Sequence, residues 1–207
     1  TASAMASTAS PSTSLARWRL SAERLIAASA RAHGVEGVAL RYFNAAGADP
    51  QLDIGEAHWP ETHLIPLAIE AALGVGHPLT VFGTDFPTPD GSCIRDYVHV
   101  SDLARAHVLA LDAPVAPAGF LAMNLGTGRG ASVKEVVEAV GCAVGRPVPH
   151  SIGPRREGDP AVLVANPARA KAILNWQPRF TELEEIVRHA VAWRQAQKFG
   201  FDREAAA

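Results

Sequence analysis

Cysteine is scarce in this sequence. Only Cys93 and Cys142 occur in 207 residues, and they have no metal or redox spacing. A disulfide framework is therefore excluded, and a reducing cytoplasm is the default compartment. Excess charge of either sign is also lacking: 19 Lys and Arg stand against 21 Asp and Glu, a formal net charge of −2. A nucleic-acid footprint would need a basic surface, so no nucleic-acid partner is expected. Any anion must be held by a few placed arginines rather than by a global field. No apolar run approaches the roughly 20 residues needed to cross a bilayer, so no membrane partner is expected either. What remains is a 48% hydrophobic chain long enough for one globular domain with a sizeable core.

The first stretch differs from the rest. Among residues 1–14, twelve are Ala, Ser or Thr. Such a segment buries too little apolar surface to offset its ordering entropy, and a disordered tail over 1–16 is expected. It lacks the basic and long apolar regions of a secretory signal. The folded part is expected over 17–207.

From Leu20 apolar residues recur at helical spacing, predicting a helix over 17–33 that Gly34 stops. Further helices are predicted over 63–74, 101–112 with Ser101 as N-cap, 132–144, 167–174 and 181–197. Ser132 and Glu135 have the spacing of a capping box at the start of the fourth. Strands are predicted over 38–43, 79–83, 94–100, 120–125, 148–152 and 162–165, and two prolines and two glycines make 83–93 a loop. Strands alternating with helices point to an α/β fold with mainly parallel pairing.

Gly126-Thr127-Gly128-Arg129-Gly130-Ala131 fits the G-x-G-x-x-A dinucleotide pattern between a strand and a helix. No acidic residue follows at the next strand end to hold a ribose. The segment is read as a tight turn into a capped helix.

Three other segments are more specific. Arg41-Tyr42-Phe43-Asn44-Ala45-Ala46-Gly47-Ala48 ends a predicted strand. Phe82-Gly83-Thr84-Asp85 leads through Pro87-Thr88-Pro89-Asp90-Gly91 to Ile94-Arg95-Asp96-Tyr97. Arg155-Arg156-Glu157-Gly158-Asp159 follows a third strand. Together with Asn124-Leu125-Gly126-Thr127-Gly128, they resemble the C-terminal half of the UDP-glucose 4-epimerase family, extended short-chain dehydrogenases that act with NAD. The resemblance covers roughly residues 17–197.

It implies an α/β fold: the last elements of an extended Rossmann-type domain with its small substrate-binding subdomain, without the N-terminal nucleotide-binding strands. It also implies interconversion of UDP-glucose and UDP-galactose through an NAD-mediated 4-keto intermediate. In that setting Arg95 and Arg156 are suited to fork onto phosphate oxygens. Asp159 suits a ribose hydroxyl, Phe82 offers a face to uracil, and Asn44 stands at a strand end in the usual ligand crevice. The resemblance further places His63 and Leu64 at a phosphate-side turn, Tyr42 and Phe43 near the nicotinamide, and Leu163 near the sugar. His63 stands where many members have asparagine, and Leu163 where tyrosine is common. A smaller Leu163 leaves room for an N-acetyl group, so a 4-epimerase of another UDP-sugar is an alternative.

The family's catalytic Tyr-x-x-x-Lys aligns with Leu15 and Arg19. Leucine cannot act as an acid or base, and the glycine-rich first turn of the nucleotide fold is absent. The expectation is a chain that keeps the UDP-sugar-binding half without activity of its own. A non-catalytic UDP-sugar-binding protein is the alternative from another class. In the family the 17–33 helix joins a homodimer contact, and exposed edges and an apolar patch on it are expected here.

Two further constellations carry no predicted chemistry. Glu56, His58, Glu61 and His63 lie in a proline-bearing loop without the helical spacing of a zinc site, so no metal is expected. His99 and Asp102 are expected to support a strand end and a helix start.

Overall fold

The computed structural model describes residues 14–51, 54–115 and 119–196. Most of the expected tail, residues 1–13, lies outside the described residues. The first helix, α1, spans Ser14–His33 and so begins three residues before the expected position. At its far end Gly34 has φ +68 and donates its N–H to the Ala30 carbonyl at 3.0 Å, as the sequence suggested.

The strand expected at 38–43 ends at Arg41, and a separate strand that the sequence did not suggest begins at Asn44. β1 (Gly37–Arg41) pairs in parallel with β6 (Phe120–Asn124), Gly37 opposite Phe120. β2 (Asn44–Ala46) pairs in parallel with β5 (Tyr97–His99), Asn44 opposite Tyr97. The ladder breaks at Tyr42 and Phe43 because the chain changes partner there. The strand expected at 94–100 is broken for a similar reason, into β4 (Ile94–Arg95) and β5, with Asp96 between them. β3 (Leu79–Phe82) pairs in parallel with β8 (His150–Gly153). β4 carries β9 (Val162–Leu163) in parallel on one side and β7 (Ala131–Ser132) antiparallel on the other. Four of the five pairings are thus parallel, as the alternating pattern required.

Two cores hold these elements. One lies among α2 (Leu64–Leu73), α4 (Val133–Val144), α6 (Leu183–Ala196) and β3, centred on Ile69, Val136, Val140, Ile186 and Val187. The other joins α3 (Val100–Leu111), β6 and α5 (Ala168–Leu174) around Leu103, Met123, Leu125 and Trp176. Trp176 is fully buried, and its Nε1 donates to the Asp102 carbonyl at 2.9 Å, which satisfies the only polar atom of the ring. Asp102 Oδ2 accepts the N–H groups of Arg179 and Phe180 at 2.8 and 2.9 Å, so it anchors the approach to α6 as well as the first turn of α3.

The capping box forms: Ser132 Oγ accepts the Glu135 N–H at 3.1 Å, and Glu135 Oε2 accepts the Ser132 N–H at 2.6 Å. The N-cap of α3 is His99 rather than Ser101. Its Nδ1 accepts the Ser101 N–H at 3.1 Å, which moves the helix start to Val100. Among the described residues no helix is long and apolar enough to cross a membrane.

Candidate functional site

Asp96 organises the region. It is fully buried, and its carboxylate collects three backbone N–H groups and a hydroxyl. Oδ1 accepts from Thr127 N and Thr127 Oγ1 at 3.0 and 2.7 Å; Oδ2 accepts from Gly128 N and Ala165 N, each at 3.1 Å. Thr127 N and Gly128 N belong to the glycine turn that fits the dinucleotide pattern. A protein carboxylate therefore takes the donors that a pyrophosphate would use, and the reading of that turn as structural holds. A Cβ on Gly126 would lie 2.5 Å from Asp96 Oδ2, so the close approach needs glycine.

The predicted site residues fall into two adjoining groups. In the first, the β4–β9 pairing sets Arg95 beside Leu163, and the Arg95 guanidinium pairs with Asp159. Its Nη1 also donates to the carbonyls of Ile94 and Pro160 at 2.7 and 2.9 Å. Asp159 closes a turn onto Arg156, N–H to carbonyl at 3.3 Å. The Arg156 guanidinium carbon lies 4.0 Å from the centre of the Phe82 ring. Phe82, Arg95, Arg156, Asp159 and Leu163 are thus brought together from three strands and one loop. Arg95 is paired to the turn that carries Arg156 and Asp159, and the Arg156 side chain lies over Phe82.

The second group surrounds a cavity of about 1130 Å³. Arg19, Tyr42, Phe43, Asn44, His63 and Leu64 line it. None of the first group does. The groups meet at Asn44, whose Nδ2 donates to the Asp96 carbonyl at 3.0 Å, next in sequence to Arg95. Gly47 helps shape this junction: its φ is +83, and a Cβ there would lie 2.7 Å from the His99 ring.

Arg19 reaches the cavity wall from α1. Tyr97 also lines it, and burial pushes its phenol well above the ordinary range. A phenol so held stays protonated and makes no general base at neutral pH. Burial likewise raises the Cys93 thiol, which argues against a nucleophile.

Sequence reasoning missed Asp96 as the hub. The repeated glycines at 126, 128 and 130 were the signal, since backbone donors so exposed need an anion, and a buried carboxylate serves as well as a phosphate. It also missed Asp90. Burial opposes its charge, yet the Ser132 hydroxyl and the Ser92 N–H and hydroxyl outweigh this and hold its pKa below the ordinary value. Asp90 thereby ties the 83–93 loop to the start of α4, at 2.5 Å from Ser132 Oγ.

Residues 2–126 match the model of the NAD dependent epimerase/dehydratase family. The chain is 47% identical over 186 residues to a UDP-glucose 4-epimerase of Halalkalibacterium halodurans, covering 90% of this chain and 56% of that protein. A UDP-glucose 4-epimerase of Azospirillum brasilense is 49% identical over 178 residues, covering 86% and 51%. Among solved structures, UDP-glucose 4-epimerase from Brucella ovis in complex with NAD superimposes with TM-score 0.81 at 51% identity, over 86% of this chain and 55% of that one. The enzyme from Bifidobacterium longum in complex with NAD+ and UDP gives TM-score 0.82 at 34% identity, over 90% and 56%. The chain spans about half the length of these relatives.

Proposed function

Because the chain belongs to the NAD dependent epimerase/dehydratase family, we propose that it is the UDP-sugar-binding part of a UDP-glucose 4-epimerase, one that interconverts UDP-glucose and UDP-galactose. The observation that carries this is the cluster of Arg95, Arg156, Asp159 and Phe82, set beside Leu163 and joined through Asn44 to a cavity of about 1130 Å³. Two guanidinium groups suit a diphosphate, a carboxylate suits a ribose diol, and an aromatic ring suits a flat base. Both arginines already have partners, so a nucleotide must exchange with Asp159 and with the Phe82 face. That exchange makes the affinity fall with added salt. A cytoplasmic location and a homodimer built on α1 belong to the same reading.

NAD is the cofactor this reading brings, and the described residues do not make a site for it. The 126–130 turn spends N–H groups on Asp96, and only Tyr42 and Phe43 offer a wall where the family places the nicotinamide. No chemical step is therefore assigned through it. At the Tyr-x-x-x-Lys positions Leu15 has no ionisable group and Arg19 is a permanent cation, so neither relays a proton.

Leu163 suggests one refinement: opposite Arg95 stands a side chain smaller than the tyrosine common in the family, so UDP-N-acetylglucosamine should compete with UDP-glucose. Calorimetric titration with UDP tests the reading. Saturable heat is expected, weakened about 10–150-fold in Arg95→Ala, as for loss of a charged hydrogen bond worth ~1.5–3 kcal/mol. No heat, or heat unaffected by Arg95→Ala, overturns it. Incubation with UDP-galactose and NAD is expected to yield no UDP-glucose.

A further inference from the structure

The loop that leads into α2 gathers four groups of a kind that the UDP-sugar reading does not use as a set. His58, Glu61 and His63 each place a ligand atom within 4.8 Å of the others. His63 Nδ1 lies 3.3 Å from Glu61 Oε1, and His58 Nδ1 lies 3.7 Å from the same oxygen. A fourth group, Glu56, puts Oε1 2.5 Å from His63 Nδ1. The two imidazole rings lie side by side, 5.3 Å between centres and 33° apart in plane.

We propose that His58, Glu61 and His63 form a site for a divalent transition metal, zinc by preference, at the edge of the cavity. This reverses the expectation drawn from spacing alone. A zinc ion takes nitrogen at about 2.0–2.1 Å and carboxylate oxygen at about 2.0–2.2 Å in a tetrahedron, which sets neighbouring donors roughly 3.3–3.4 Å apart. The His63–Glu61 separation already has that value, and the His58–Glu61 separation exceeds it by a small side-chain rotation. Two imidazoles with a carboxylate suit zinc rather than calcium or magnesium, which prefer all-oxygen shells.

The loop is also held in place. Gly55 packs so close to the Trp193 ring that a Cβ would meet it at 2.3 Å, and Trp193 Nε1 donates to the Glu56 carbonyl at 3.0 Å. Glu61 Oε1 accepts the N–H groups of Thr62 and His63 at 2.7 and 2.8 Å, so the carboxylate is aimed before any metal arrives. These are the supports that an outer shell gives to metal ligands. Glu56 stands next to the His63 nitrogen that must lose its proton on binding. All four residues line the cavity, so the remaining coordination position faces that space. A helical zinc motif needs i, i+4 histidines; here a short turn brings i and i+5 together instead.

The proposal is independent of nucleotide binding, and its test uses none. The chain is stripped with a chelator and titrated with Zn2+ by calorimetry, with Co2+ as a spectroscopic stand-in. One equivalent is expected to bind, with the intense visible bands of four-coordinate Co2+. His58→Ala and His63→Ala are each expected to weaken binding by at least the ~10–100-fold that outer-shell changes cost, and Cys142→Ser to leave it unchanged. Should His63→Ala fail to fold by circular dichroism, His58→Ala, an exposed side chain, decides the matter. No saturable binding, or binding of equal strength in His58→Ala, overturns the proposal.

Discussion

Asp96 sits between Arg95, which faces the candidate ligand site, and Tyr97, which faces the cavity, and its own side chain points into the protein. Its two oxygens hold the 126–128 turn and the segment after β9 in one place. Removing the charge while keeping the shape is therefore informative. Asp96→Asn replaces one acceptor oxygen by an NH2 donor, so either Thr127 N or both Gly128 N and Ala165 N lose their partner. With charged hydrogen bonds worth ~1.5–3 kcal/mol, a loss of about 3 kcal/mol or more is expected. Urea denaturation measures it, and a change within the scatter of surface substitutions would show that the hub carries no weight. Arg95, Arg156 and Asp159 stood out in the sequence because guanidinium and carboxylate groups suggest a class of ligand, and the fold brings the three together. Asp96 did not, since the same carboxylate in a string of letters suits a ligand, an ion pair or a backbone cradle. Only burial separates these.

Elements were legible wherever one local pattern decided them. The Ser132–Glu135 box and the Gly34 helix end are satisfied within a few residues, and both lie where the sequence put them. Strand breaks at 42–43 and at Asp96 depend on which distant strand is the partner, which no local periodicity records. The cap of α3 is a related case: His99 displaces Ser101 because its other ring nitrogen has a tertiary partner. His99 Nε2 meets His189 Nδ1 of α6 at 3.0 Å, while Phe180 stacks on the His99 ring at 4.1 Å between centres. With Nδ1 accepting from Ser101, Nε2 carries the proton and donates it to His189. Burial lowers both pKa values; His189 adds to the effect on His99, and Arg188 to that on His189. Glu185 and Asp49 oppose it at both, and Asp102 at His99. Both groups thus bind fewer protons folded than unfolded, where histidine titrates near 6.5. Stability is then full above that value and falls as the pH drops through the window below it. The urea midpoint is expected to be lower at about pH 5.5 than at about pH 7.5, and His189→Gln is expected to shrink that difference. An unchanged difference in the variant would remove the pair as its source.

For the molecule as a whole, the alternation of strands and helices was enough to identify the layered α/β build, and the two cores close over α2 to α6. The α1 side is different. There β1 pairs with β6 alone among the described residues, leaving its other edge without a strand. Above it, α1 packs so close that a Cβ on Gly37 would touch Ile26 at 2.6 Å, yet Trp18 and Leu25 remain 74% and 69% exposed. Ile26 and Leu20 add further apolar area to the same helix. A strand edge beside an uncovered apolar helix is a surface that water disfavours and a second copy can cover. Self-association is therefore expected, increasing with concentration, when light scattering is coupled to size-exclusion chromatography. The double variant Trp18→Glu, Leu25→Glu places two carboxylates on the face that must desolvate, and charge left unpaired in an interface is costly. It should elute as a monomer with its helical content kept, since both side chains point to solvent in the single chain. If the parent chain is already a uniform monomer, or if the variant associates just as strongly, α1 is not the contact, and the open edge of β1 becomes the place to look.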